Sequence, residues 1–343
     1  MTANSRPART ARTGTPAPQA QGTPGTTPLV PRRAASSGLR PAPLASSVDE
    51  ITRLRASAPD AIRLACAQRT PFDASRLARP LFVLAADHPA RGAVAAGGDP
   101  TAMGDRHELL ARCVEALSRP GVDGFLGTAD LVEDLMLLGA LDGKLVLGSM
   151  NRGGLPGASF ELDDRFTGYD APGIAAAGLD GGKVLLRIDP DDPGTADTLA
   201  GCSHAVHALA ARRLLALVEP FRTHRVAGRV VNILEPDAQI YVNNIAQGLG
   251  STSAYTWLKV PVVDEMERMM ASTTLPTLLL GGEGSGGPDE RYAAWQKALR
   301  IPQVRGLILG RTMLFPDDGD VAAAIDTAVS LVDQSPTPPR SSR

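Results

Sequence analysis

The sequence predicts an α/β fold of the (β/α)8 barrel type behind a disordered N-terminal tail. Three observations carry this. From about residue 48 to 332, eight short apolar runs alternate with stretches of helical period, the rhythm of a parallel sheet wrapped by helices. Each run is short enough to be a strand buried on both faces. The alternating region is about 250 residues long, the usual size of such a barrel. A doubly wound open sheet is the competitor. The turn after the first run, "DHPARGAVAAGG", is not a GxGxxG leading directly into a helix, which counts against a dinucleotide site.

In order, "SVDEITRLRASAP" opens on a Ser/Asp cap and predicts an introductory helix. The expected strands are 81–86, 123–127, 144–150, 182–189, 214–220, 254–262, 277–282 and 306–310. Helical period marks 105–119, 130–141, 195–213, 264–273, 289–300 and 320–332. A longer stretch, 222–239, follows the fifth strand and is able to reshape a pocket. "GSMNRGGLPG" (148–157) reads as a flexible cover over the same end.

Residues 1–47 are rich in Pro, Thr, Ala, Ser and Arg, and no acidic residue precedes Asp49. Such a segment buries too little apolar surface to offset the entropy of ordering it. Residues 333–343 read the same way, leaving 48–332 as the folded domain. The net charge of −2 gives no broad electrostatic reason to expect nucleic acid or an anionic membrane, and 4% aromatic residues are too few for a base-stacking surface. No apolar run approaches a membrane span. Cys66, Cys113 and Cys202 lack CxxC spacing, so no disulfide framework or zinc ribbon is indicated and a cytoplasmic setting is expected.

Lysine occurs at only four positions, 144, 183, 259 and 297, while arginine supplies every other basic side chain. A lysine inside the strand-like "SAYTWLKVPVV" therefore asks for something arginine cannot do, which is to lose a proton and act as an amine nucleophile. In a barrel, reacting groups project from the carboxyl ends of strands. Asp87, Asn151, Lys183, Arg187, Glu219, Lys259 and Arg311 all fall in or just after the expected strands. Period-2 reading puts Lys183, Leu185 and Arg187 on one face of the fourth strand, and Trp257 with Lys259 on one face of the sixth. A second cation and an apolar wall lower a lysine's pKa. A neutral amine can attack a ketone, and the resulting iminium weakens the neighbouring carbon–carbon bond. Glu219 and Asp87 are placed to move the protons this requires. Gly281, Gly282 and Gly310 let backbone N–H groups approach an anion, and Asn151 and Arg187 are further candidate substrate contacts. No metal or organic cofactor is expected.

The same residues carry a family resemblance. "TGYD" (167–170) with "AAGLDGGKVLLRIDPDD" (176–192), "LVEPF" (217–221), "WLKVPVV" (257–263), "LILGRTML" (307–314) and "AADHPARG" (85–92) resemble, in order, segments of class I tagatose-1,6-bisphosphate aldolases. The resemblance runs from about residue 80 to 315. It implies Lys259 as the Schiff-base lysine, Lys183 as a neighbouring cation and Glu219 as general acid/base. It implies Asp87 as a hydroxyl-binding and proton-relay group, and Arg311 as a phosphate ligand. The chain departs from that pattern in the first loop, where Arg91 is out of register, and after the seventh strand, in "LLLGGEGSGG". It therefore resembles a divergent branch of the Schiff-base aldolases. Similar divergent proteins are associated with inositol breakdown and cleavage of 2-deoxy-5-keto-gluconate 6-phosphate. Deoxyribose-phosphate aldolase is a further relative whose lysine segment is not matched.

The expected activity is thus cleavage of a phosphorylated ketose or keto-sugar acid, with release of a triose phosphate. The expected partner is that sugar phosphate, with no nucleic acid or membrane; a homo-oligomer is left open. Two alternatives remain: a sugar-phosphate-binding regulator with little turnover, and a metal-dependent aldolase or isomerase on the same barrel. "HAVH" (204–207) has chelating spacing but reads as a solvated helix face, and "DPDD" (189–192) reads as helix capping.

Overall fold

The computed structural model describes residues 42–152, 154–281 and 287–335. Its centre is a closed barrel of eight parallel strands: β1 (Leu81–Ala85), β2 (Gly124–Gly127), β3 (Leu145–Ser149), β4 (Gly181–Ile188), β5 (Leu215–Val226), β7 (Thr256–Val260), β8 (Thr277–Leu280) and β9 (Val304–Leu309). The remaining strand, β6 (Arg229–Asn232), lies outside the barrel. The order β4-β3-β2-β1-β9-β8-β7-β5 is closed by pairing of β4 with β5. Closure leaves no barrel edge unpaired. It also settles the competition with an open sheet in favour of the (β/α)8 barrel.

The β4 alternation is as the sequence implies. Val184, Leu186 and Ile188 belong to the large apolar core shared with the surrounding helices. Leu185 instead joins Phe221 and Leu280 in a small apolar cluster. A third cluster, including Leu81, Val83, Leu126, Leu147, Leu217 and Ile308, fills the lumen. Register places Lys183 beside Leu217 and Leu185 beside Glu219, so charged side chains of the lumen sit between these two apolar layers. The packed layer beneath them excludes water from that side.

The amino-terminal end of the barrel is built for stability. Asp123 accepts the Phe82 N–H through Oδ2 at 3.0 Å, and its other oxygen pairs with Arg76 and Arg79. Asp180 Oδ2 accepts the Val146 N–H at 2.8 Å and pairs with Arg69 at 3.4 Å. Each carboxylate thus ties one strand's start to its neighbour and to an arginine preceding β1. Gly306 makes another close junction: its φ is +128°, and a Cβ there would lie 1.9 Å from the Leu81 carbonyl oxygen. Only glycine fits.

Several elements differ from expectation. The introductory helix is two helices, Val48–Ser57 and Asp60–Gln68, because Pro59 disfavours helical backbone at Ala58. The stretch 222–239, given no element by the sequence, contains the end of β5, all of β6 and the start of a helix. β5 runs on past the barrel and turns through Ala227 and Gly228, both at positive φ, pairing antiparallel with β6. That is the twist a two-residue hairpin requires. Pro236 then starts the helix Pro236–Gln247, where a missing N–H costs nothing. The short helix Ala171–Ala176 was also unanticipated.

The segments expected to be disordered fall mostly outside the described residues, although the N–H groups of Leu44 and Ala45 both donate to the Leu137 carbonyl at 3.0 Å. Among the described residues, no helix is long and apolar enough to cross a membrane.

Candidate active site

At the carboxyl end of the barrel, β4, β5 and β7 bring three ionised side chains together. Lys259 Nζ lies 2.8 Å from Glu219 Oε1, and Lys183 Nζ pairs with Glu219 Oε2. Lys183 also reaches Asp87 Oδ2 at 3.4 Å. That oxygen accepts the Ser149 hydroxyl at 2.9 Å and pairs with Arg152. Asp87 and Lys183 are wholly enclosed, while Glu219 and Lys259 are 7% and 4% exposed. A chain of alternating charge thus runs from Arg152 through Asp87, Lys183 and Glu219 to Lys259. Isolated charges would not survive here; mutual pairing makes their burial tolerable.

This arrangement moves several pKa values. Burial pushes the Glu219 carboxyl up, but Lys183 and Lys259 outweigh it and hold the group at about 2. Burial likewise opposes ionisation of Asp87, yet Arg152 and Lys183 keep it well below the ordinary carboxylate range. For Lys183, burial and then Arg152 win over the two carboxylates and bring the ammonium down to about 8.

Beyond these groups lies a cavity of about 1330 Å³, lined by Glu219, Lys259, Leu185, Phe221, Arg187 and Arg152 among others. The ends of β8 and β9 supply Gly281, Gly310, Arg311 and Thr312 to its wall. A Cβ at Gly310 would come within 2.5 Å of the Ala85 carbonyl oxygen and 3.0 Å of the His88 ring, so glycine is needed for the chain to pass there. Gly282 lies outside the described residues. The Thr312 hydroxyl is buried without a hydrogen-bond partner among the described residues, an unspent donor beside the two glycines.

Two expected contacts are already engaged. Arg187 makes a two-pronged pair with Asp164, Nε to Oδ2 at 2.8 Å and Nη2 to Oδ1 at 2.6 Å. Asn151 is fully buried; its Oδ1 accepts the Leu185 N–H and its Nδ2 donates to the Leu185 carbonyl, both at 2.6 Å. Its amide replaces a peptide at the edge of β4. Within the stretch expected as a flexible cover, 148–157, Asn151, Arg152 and Gly154 are buried and residues 155–157 are exposed.

Two further side chains at the mouth, His88 and Arg91, were given no role in the expected site. His88 Nδ1 is buried with no hydrogen-bond partner among the described residues and lies 4.0 Å from Asp87. Burial, with Arg152, Lys259 and Arg311 nearby, lowers its imidazole to about 3 against the pull of Asp87, so it is neutral at physiological pH. By contrast, His204 and His207 are exposed on their helix, His207 bonding Ser251. In "DPDD", Asp192 accepts the Gly194 N–H at the start of the helix Gly194–Ala210. No three His, Cys, Asp or Glu side chains converge to hold a metal among the described residues.

The family model of Cgl0159-like proteins matches residues 79–329. The chain belongs to the Cgl0159-like family. It is 54% identical to the crystal structure of Cgl0159 from Corynebacterium glutamicum, with a TM-score of 0.79 over 83% of this chain and 96% of that one. No curated protein matches it. The Cgl0159-like barrel is also similar to a Schiff-base-forming fructose-1,6-bisphosphate aldolase, at 16% identity and TM-score 0.56 over 79% of this chain and 99% of the other. A fructose-bisphosphate aldolase from Slackia heliotrinireducens matches at 14% identity and TM-score 0.53, over 88% and 96%. At such identities these two likenesses concern the fold.

Proposed function

We propose that this Cgl0159-like chain is a class I aldolase that cleaves a phosphorylated ketose or keto-sugar acid through a Schiff base on Lys259. One observation carries the reading: Lys259, an amine on the cavity wall, lies 2.8 Å from a carboxylate whose other oxygen is held by a second lysine. Lys183 is enclosed behind Glu219, so a carbonyl entering the cavity meets Lys259 first.

Lys259 gives a proton to Glu219 and its nitrogen attacks the ketone carbon. The carbinolamine loses water, its departing hydroxyl taking the proton from Glu219, and an iminium results. The hydroxyl on the carbon beyond the scissile bond then surrenders its proton to Glu219 as that bond breaks. The electron pair passes to the iminium, leaving an enamine and a free aldehyde. Reprotonation and addition of water release the second fragment and restore the amine. Lys183, held by Asp87, supplies positive charge for substrate oxygens, and Asp87 acts through it. Arg311, Thr312 and the backbone at Gly281 and Gly310 are assigned to the phosphate. Among the substrates, 2-deoxy-5-keto-gluconate 6-phosphate and tagatose or fructose bisphosphate fit this chemistry, each releasing a triose phosphate.

Borohydride reduction with dihydroxyacetone phosphate, followed by peptide mapping, tests the proposal. The expected adduct is on Lys259 and forms equally well after chelation. An adduct elsewhere, or wild-type cleavage by Lys259→Ala, would end it.

A further inference from the structure

Arg91 stands out among the cavity's cations. It lies on the short 3-10 turn Pro89–Arg91 after β1, fixed by its own N–H to the His88 carbonyl at 3.2 Å and closed by Gly92 at φ +77°. Its guanidinium has no hydrogen-bond or ion-pair partner among the described residues, although it lines the cavity and is only partly exposed. The charges around it are the guanidiniums of Arg187 and Arg152, opposed by Asp164 and Glu219. Arg187 is closed on Asp164 and Arg152 on Asp87. Arg152 nevertheless keeps a buried Nε without a partner and is itself 7% exposed. An unpaired guanidinium in the field of two others is costly unless an anion arrives.

Position gives this cluster its meaning. In the closed strand order, β3 and β4 lie across the barrel from β8 and β9. Arg152 follows β3 and Arg187 sits in β4, whereas Gly281 ends β8 and Arg311 follows β9. Arg91 itself follows β1, which pairs with β9, but the charges that act on its guanidinium are those of Arg187, Arg152, Asp164 and Glu219. Lys259 on β7 and Glu219 on β5 lie between the two sides. We infer that Arg91, with Arg152 Nε, forms a second anion subsite that holds the far end of the substrate, and that this end is a carboxylate. A planar, singly charged carboxylate matches one free guanidinium fork. A phosphate dianion would leave surplus negative charge facing Asp87, Asp164 and Glu219. This rests on the aldolase reading for the orientation of substrate, but not for the existence of the subsite.

Ligands without a ketone separate the two. Calorimetric titration of the full chain with 6-phosphogluconate, glucitol 6-phosphate and glucitol 1,6-bisphosphate is expected to show 6-phosphogluconate binding about tenfold or more tightly than glucitol 6-phosphate. Arg91→Gln should erase that preference with its Tm unchanged, and Arg91→Lys should restore part of it. Equal affinities in the wild type, absence of binding by all three, or a preference that survives Arg91→Gln would overturn the subsite. Tighter binding of the bisphosphate than of 6-phosphogluconate would overturn the carboxylate assignment. None of these ligands can form an iminium, so failure of the lysine adduct would sink the aldolase reading and leave this result standing.

Discussion

Lys183 and Lys259 share one carboxylate: Glu219 presents Oε2 to the first and Oε1 to the second, the latter at 2.8 Å. The two amines are therefore not equivalent. One is sealed between Asp87 and Glu219; the other faces the cavity. Under the proposed function the two divide the labour, the inner lysine supplying charge and the outer one chemistry.

Lys259→Arg should retain the charge at Glu219 yet lose amine nucleophilicity. Cleavage is expected to fall by at least about 10³-fold, with borohydride trapping abolished and Tm little changed. Single-turnover assay with mass spectrometry of the reduced protein checks both.

Lys183 titrates at about 8, so kcat/KM should decline as pH rises through that value and the cation is lost. Lys183→Arg, even if slower, should carry an alkaline limb displaced upward, since guanidinium stays protonated. An unchanged limb in the variant would assign the ionisation to another group.

Glu219→Gln removes the counter-charge from two buried ammonium groups and should destabilise the fold by about 3 kcal/mol or more, read by denaturant unfolding. The folded value of about 2 lies below the usual 4.5. The stabilisation from Glu219 is then complete above pH 4.5 and fades as pH falls toward 2. Lys183 has the opposite sign: its lowered value means that its charge opposes folding below about 8, an effect relieved as pH climbs toward 10.5. The wild type should lose more stability between pH 4.5 and 2 than Glu219→Gln does.

Thr312→Val keeps shape and deletes a buried hydroxyl that has no partner among the described residues. Stability should hold or rise, because an unsatisfied polar group leaves the interior. If the hydroxyl serves the substrate phosphate, KM should rise by about tenfold with little change in kcat. A fall in Tm with unaltered KM would assign the hydroxyl a structural part instead.

Much of the barrel was legible because its strands are short apolar runs between glycines and caps, and because alternation in 182–189 separated Lys183, Leu185 and Arg187 from the helix-facing residues. The assembly of Lys183, Glu219, Lys259 and Asp87 followed from their places at strand ends. What escaped notice had two causes. The helix Pro236–Gln247 carried a signal, a proline at its first turn followed by helically spaced Val242 and Ala246, but the polar hairpin before it masked the change of period. Arg91, His88 and Thr312 lie in segments the sequence picks out, but nothing there says that their side chains reach the cavity with polar atoms to spare. Whether a donor is satisfied depends on partners distant in sequence, as does the engagement of Arg187 by Asp164, 23 residues away.

The arginines preceding β1 bear on how short the chain can be made. A version begun at residue 79, where the family match starts, would keep Arg79 but lack Arg69 and Arg76. Asp180 would then lose the one arginine it pairs with, and Asp123 one of its two. The smallest autonomous unit therefore extends upstream of the barrel itself, and truncation to the family boundary should yield protein that fails to collapse rather than a leaner domain.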